Sequence, residues 1–173
     1  MPTGETMIAD DRLLIVGGTG RNVGKTEFAC RLIAKIAAQR PVYAIKVSSI
    51  IPGEELYHGT HAEEDANQHL FEETGRKSAK DTSRMLNAGA ARVFYLRTDD
   101  AGILGGFGEF IRKIPADSPV VCESNSLGQY VQPALSVMVR SIDGSVKSRA
   151  IDRLQRADLV VVSDGVSGFP ELA

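Results

Sequence analysis

Lys25 and Thr26 close a glycine-rich stretch, GGTGRNVGKT (17–26), that directly follows the apolar run Leu13-Leu14-Ile15-Val16. Residues of these types in this order suit a phosphate group. Glycines let successive backbone N–H groups turn inward with no Cβ in the way. A helix beginning at Gly-Lys-Thr would offer the positive end of its dipole to an anion. Lys25 would set its ammonium on the β- and γ-phosphates of a nucleotide, and the Thr26 hydroxyl would be a Mg²⁺ ligand. Gly18, Thr19, Gly20, Arg21, Asn22, Val23, Gly24 and Glu27 are the other loop residues expected around the phosphates. Counted from Gly18, the spacing to Gly24 is one residue longer than in the common GxxxxGK(S/T) loop, with Thr19 where that pattern wants glycine.

Phosphate chemistry also needs an acid at a second strand end, to hold Mg²⁺ directly or through water. Glu123, after Val120-Val121-Cys122, is the favoured candidate because Ser124-Asn125-Ser126 continues beyond it as a polar lining. Asp164, after the apolar run 159–162, is its rival. Lys25 and Glu123 are therefore the expected catalytic pair, and Thr26 and Glu123 the expected Mg²⁺ ligands. Lys46 ends an apolar run and falls where open α/β sheets bind ligands. Asp81 has two readings, a first-turn acid in a capping-box variant headed by Ser78 or a contact to Mg²⁺-bound water or substrate. His58, His61 and His69 cluster in a polar stretch that reads as a solvated loop, as does the acidic run 63–65.

The elements that must position these residues alternate along the chain. Apolar strand segments are expected at 13–16, 40–47, 91–97, 119–123, 134–139 and 158–164. Helices are expected over 25–38, 79–88, 102–114 and 146–156, the second N-capped by Ser78 and followed by Gly89. Residues 48–76 carry no clear period and read as a long polar loop. Near-continuous Val/Ile/Leu strands alternating with helices predict an α/β fold, a mostly parallel sheet with helices on both faces.

The 173 residues are expected to form one domain. A formal charge of −2 gives no reason to expect nucleic acid or an anionic membrane as partner. The acidic start lacks the basic region of a secretory signal, no apolar run reaches the ~18 residues of a membrane span, and the protein is expected to be cytoplasmic. Cys30 and Cys122 are both expected as buried free thiols.

GTGRNVGKT (18–26) resembles the GTxxxVGKT loop of the dethiobiotin synthetase and cobyrinic-acid amidase branch of P-loop proteins, which carries the extra residue. Across most of 13–165 the chain resembles molybdopterin-guanine dinucleotide biosynthesis protein B. The resemblance rests on KDTSRMLNAGAARV (80–93), AIKV (44–47), VVCE (120–123) and ADLVVVSD (157–164) in the order and at the gaps of that family. Val47 stands where the family commonly has His, and Ser124 where it has Gly.

The resemblance implies a three-layer P-loop NTPase fold. It also implies a homodimer that binds GTP with Mg²⁺, hydrolyses it slowly, and assists GMP attachment to molybdopterin beside a nucleotidyltransferase partner. An ATP-dependent ligase-like enzyme of the dethiobiotin synthetase type is one alternative. A nucleotide-regulated interaction module is another.

Overall fold

The structure, a computed structural model, describes residues 7–50, 69–165 and 168–169. Strand β1 (Ile8–Gly18) leads into helix α1 (Lys25–Ala37), followed by β2 (Tyr43–Ser49) and β3 (Leu70–Glu73). Helix α2 (Asp81–Asn87), β4 (Arg92–Thr98), α3 (Ile103–Arg112) and β5 (Val120–Ser124) come next, then β6 (Val131–Ser141), α4 (Ile151–Arg156) and β7 (Leu159–Ser163). Short 3₁₀ turns precede α3, β6 and α4.

Among the described residues the strands form one sheet in the order β3-β4-β2-β5-β1-β6-β7. All neighbours are parallel except β3, which runs antiparallel to β4 along one edge. β5 lies between β1 and β2 and every one of its residues is buried. That is the condition under which a strand can be a continuous apolar run rather than an alternating one.

Two apolar clusters cover the two faces of the sheet. One joins Leu13, Ile15, Ile45, Phe94 and Cys122 to Ile103, Phe107 and Phe110 of α3. The other joins Val16, Ala44, Val93, Val121 and Val139 to Ala29 and Ile33 of α1 and to Met85 and Leu86 of α2. Helices therefore pack on both faces, as the alternation predicts. Phe94 and Phe110 meet edge-to-face at 5.3 Å between ring centres, and burying each such side chain contributes about 1.5–3 kcal/mol.

Three expectations need correction. The stretch 48–76 is not all loop, because β3 occupies Leu70–Glu73. Its residues pair with Val93–Leu96 of β4, and that pairing supplies the order that four residues with two glutamates could not announce on their own. Residues 51–68, with His58, His61 and the acidic run 63–65, lie outside the described residues.

Ser78 does not cap α2. The N-cap is Lys80, and the Ser78 hydroxyl instead accepts from the Lys80 amide at 3.3 Å and pairs with the Ser83 hydroxyl at 2.6 Å. Gly89 does follow the end of α2, with φ +114°, a conformation that costs glycine nothing.

Cys122 is buried but Cys30 is only half-buried. Burial pushes the Cys30 thiol up to about 11 and holds Cys122 well above the ordinary thiol range. Both are protonated and unreactive at neutral pH.

Candidate functional site

The carboxyl ends of the parallel strands open into a cleft of about 940 Å³. Its floor is the turn between β1 and α1. Gly18 donates its amide to Asn125 Oδ1 at 2.8 Å, and Thr19 donates its own to the Val139 carbonyl at 3.0 Å. The start of the loop is thus tied to the ends of the strands on either side of β1. Asn22 (φ +55°) and Gly24 (φ +101°) take left-handed conformations, which turn the chain sharply into α1.

Gly24 has no room for a side chain. A Cβ there would lie 3.0 Å from Ser163 Oγ and 3.6 Å from the Phe169 ring. Phe169 in turn packs edge-on against Phe28 of α1, at 5.3 Å, and lies beneath the Arg31 guanidinium.

Every residue expected at the phosphate site lines this cleft: Gly18 to Glu27, Lys46, Asp81 and Glu123. Their roles differ. The side chain of Val23 belongs to the apolar cluster under α1 and leaves only its backbone to a ligand. The aliphatic stem of Lys25 runs against Gly18, where a Cβ would stand 2.7 Å from its Cγ and Cδ. Among the described residues, the Lys25 ammonium makes no hydrogen bond or ion pair. Burial lowers its pKa below the ordinary lysine value, against the pull of the Glu123 charge.

Thr26 and Glu123 meet directly, the hydroxyl donating to Oε2 at 2.8 Å in a buried contact. The register explains the next partner. Glu123 on β5 is the rung-mate of Lys46 on β2, and Lys46 Nζ donates to Glu123 Oε1 at 3.3 Å. The same ammonium donates to Asp81 Oδ2 at the start of α2.

Burial alone would depress Lys46, but Glu123 and Asp81 outweigh it and hold its pKa above the ordinary value. Burial would likewise raise Asp81, but the Lys46 hydrogen bond and charge hold its carboxyl below the usual range. Glu27 reaches away from this group to Arg31 and Arg84, at 3.0 and 2.9 Å.

Asp164, the rival acid, has another task. Its Oδ1 accepts from the Gly168 amide at 2.8 Å, closing the turn that seats Phe169. Ser124 and Ser126 do line the cleft, but the Ser124 hydroxyl is engaged by the Ser126 and Leu127 amides. His69 lies beside β3 at a separate, smaller cavity of about 540 Å³.

Sequence reasoning missed Arg84, Lys80, Lys147, Arg149 and Arg153, which also line the cleft. In the sequence they look like ordinary solvated cations. The signal available was their position within the helices expected over 79–88 and 146–156. Among the described residues, eight basic and four acidic side chains line the cleft, in a chain whose formal charge is −2. The positive excess is therefore local to the cleft, and it favours an anionic ligand.

No group of three His, Cys, Asp or Glu side chains capable of holding a metal ion is assembled among the described residues. The hydroxyl of Thr26 and the carboxylate of Glu123 are nonetheless hard oxygen donors 2.8 Å apart. They fit Mg²⁺, which takes one or two protein oxygens and completes its shell with water and phosphate. No described helix is long and apolar enough to cross a membrane.

Fold and site together define an α/β protein with a mostly parallel sheet and a cationic cleft at the strands' carboxyl ends. No family model matches the chain, and no curated protein or solved structure matches it either.

Proposed function

We propose that this is a P-loop NTPase that binds a nucleoside triphosphate as its Mg²⁺ complex in the cleft and hydrolyses it slowly. One observation carries the reading. Lys25, at the start of α1 beneath a glycine loop, is half-buried in the cleft and among the described residues has no ion-pair partner. A partly desolvated ammonium without a partner is unfavourable, and triphosphate oxygens would relieve that cost.

In this reading the loop amides and Lys25 hold the phosphates and stabilise the charge that builds on them during transfer. Thr26 and Glu123 would hold Mg²⁺, which supplies charge neutralisation between the phosphates. Lys46, kept protonated by its two carboxylates, stands at the same end of the cleft as Glu123 and Asp81.

The resemblance of 18–26, 44–47, 80–93 and 157–164 makes GTP the nucleotide. It makes the role an accessory one in molybdopterin-guanine dinucleotide formation, performed in the cytoplasm as a homodimer beside a nucleotidyltransferase. Calorimetric titration of GTP and ATP, each with Mg²⁺, tests this. A tenfold or greater preference for GTP is expected. A preference for ATP would overturn the molybdopterin assignment in favour of a dethiobiotin synthetase-like activity. Binding of neither would overturn the phosphate-loop reading itself.

A further inference from the structure

The sheet order places two charged groups on opposite sides of the glycine loop, and only the second is cationic throughout. Glu123, Lys46 and Asp81 belong to the β5 and β2 side. Lys147, Arg149 and Arg153 follow β6, on the other side of β1. The corner is built onto the loop: the Lys147 amide donates to the Thr19 carbonyl at 3.0 Å, and the Ala150 amide donates to the Lys147 carbonyl at 2.8 Å. Ala150 is buried, which fixes the turn that presents Arg149 and leads to Arg153 on α4.

Three features of this corner ask for an anion. Arg153 Nε is buried with no hydrogen-bond partner among the described residues. Burial, and then the charge of Arg149, lower the pKa of the Arg153 guanidinium against the pull of Asp152. Thr19 is 1% exposed, and its hydroxyl also has no partner. A buried donor left without a partner is destabilising, and a bound anion would satisfy it.

We propose that Thr19, Lys147, Arg149 and Arg153 form a second anion site, which takes a phosphate group other than those held by the glycine loop. This rests on the nucleotide reading above and adds to it a phosphate-bearing second group. That group belongs either to a separate small organic phosphate or to an extra phosphate on the nucleotide's ribose. A guanidinium suits it because its fork donates two hydrogen bonds to a phosphate at once.

Inorganic phosphate is the probe, titrated by calorimetry into protein saturated with a non-hydrolysable triphosphate and Mg²⁺. One further equivalent is expected to bind, with affinity at least tenfold weaker in Arg153→Ala and intermediate in Arg153→Lys. Circular dichroism checks that both variants are folded, and Lys147→Ala, at an exposed position on the cleft, gives an independent weakening. No binding to the saturated protein would overturn the proposal. So would an equal loss of triphosphate affinity in Arg153→Ala, since the cation would then belong to the first site.

The same titration of nucleotide-free Lys25→Ala separates the two readings. Phosphate binding that persists there, and falls with Arg153→Ala added, supports the corner whether or not the loop binds nucleotide. Its loss would show that phosphate had occupied the loop and would overturn the proposal. A nucleotide bearing a ribose 3′-phosphate assigns the source. A gain in affinity that depends on Arg153 places the group on the nucleotide, and no gain places it on a second molecule.

Discussion

Replacing Lys25 with methionine should make the protein more stable and cut its ligand response to about a third. Methionine keeps the aliphatic stem that lies against Gly18 and removes the ammonium. Burial lowers the folded-state pKa of Lys25 below its unfolded value. For a base shifted in that direction, the folded state binds fewer protons than the unfolded state between the two values. Stability therefore rises with pH through that window, and below it the whole penalty of the buried charge is present. At neutral pH the substitution removes that penalty.

Relief of a strained functional site is typically about 0.5–2 kcal/mol. For a chain of this size, 1 kcal/mol moves Tm by about 2–4 °C. Ligand stabilisation should move the other way. At 100 times Kd, a ligand stabilises by about 2.7 kcal/mol, so the parent should gain about 5–11 °C with Mg²⁺ and nucleotide. Loss of one charge-assisted contact of about 2 kcal/mol weakens Kd roughly 30-fold. At the same ligand concentration the variant should gain only about 0.9 kcal/mol, or about 2–4 °C. Scanning calorimetry with and without ligand reads both effects. An undiminished ligand shift would refute the phosphate role of Lys25, and a lowered Tm of the ligand-free variant would refute the account of its burial.

Glu123→Gln should keep the fold contact to Thr26 but remove the carboxylate, so Mg²⁺ should no longer raise nucleotide affinity. Titration at fixed nucleotide with increasing Mg²⁺ checks this, with at least a tenfold stimulation expected in the parent only. Gly24→Ala forces a φ of +101° on a side chain whose Cβ meets Ser163 at 3.0 Å. It should cost about 1–3 kcal/mol in urea denaturation and weaken nucleotide binding as well. Asp81 has a folded pKa below its ordinary 3.8, and its contribution is present above that value and lost as pH falls through the folded pKa. Unfolding measured between neutral pH and pH values well below 3.8 should therefore show a shallower acid-side loss in Asp81→Asn than in the parent.

What could be read from the sequence and what could not divide along physical lines. Val120-Val121-Cys122 announced a central strand because burial on both faces leaves no place for polar alternation. Gly24-Lys25-Thr26 announced the start of a helix because its residue types are tied to local backbone geometry. β3 stayed hidden because an edge strand of four residues is defined by its partner, Val93–Leu96, rather than by its own pattern. Lys46 with Glu123 was legible only as two separate strand ends, since their meeting depends on β2 and β5 being neighbours in register. The basic corner after β6 was illegible for the same reason: adjacency of β6 to β1 brings Lys147 to Thr19.

The ties at the start of the loop also set an order of events during folding. β1 precedes the other described strands in the chain, yet its neighbours are β5 and β6, so its pairing partners emerge on the order of 100 residues later. Until then Leu13–Val16 is an unpaired apolar edge, the kind of segment that holdase chaperones cover and that aggregation recruits. The Gly18 amide waits for Asn125, the Thr19 amide for Val139, and Gly24 for the packing of Ser163 and Phe169. The loop is thus synthesised well before the described segments that give it its shape. Mutations far along the chain, in β6 or beside Phe169, should then slow the appearance of a ligand-competent loop during refolding more than they disturb the rest of the sheet.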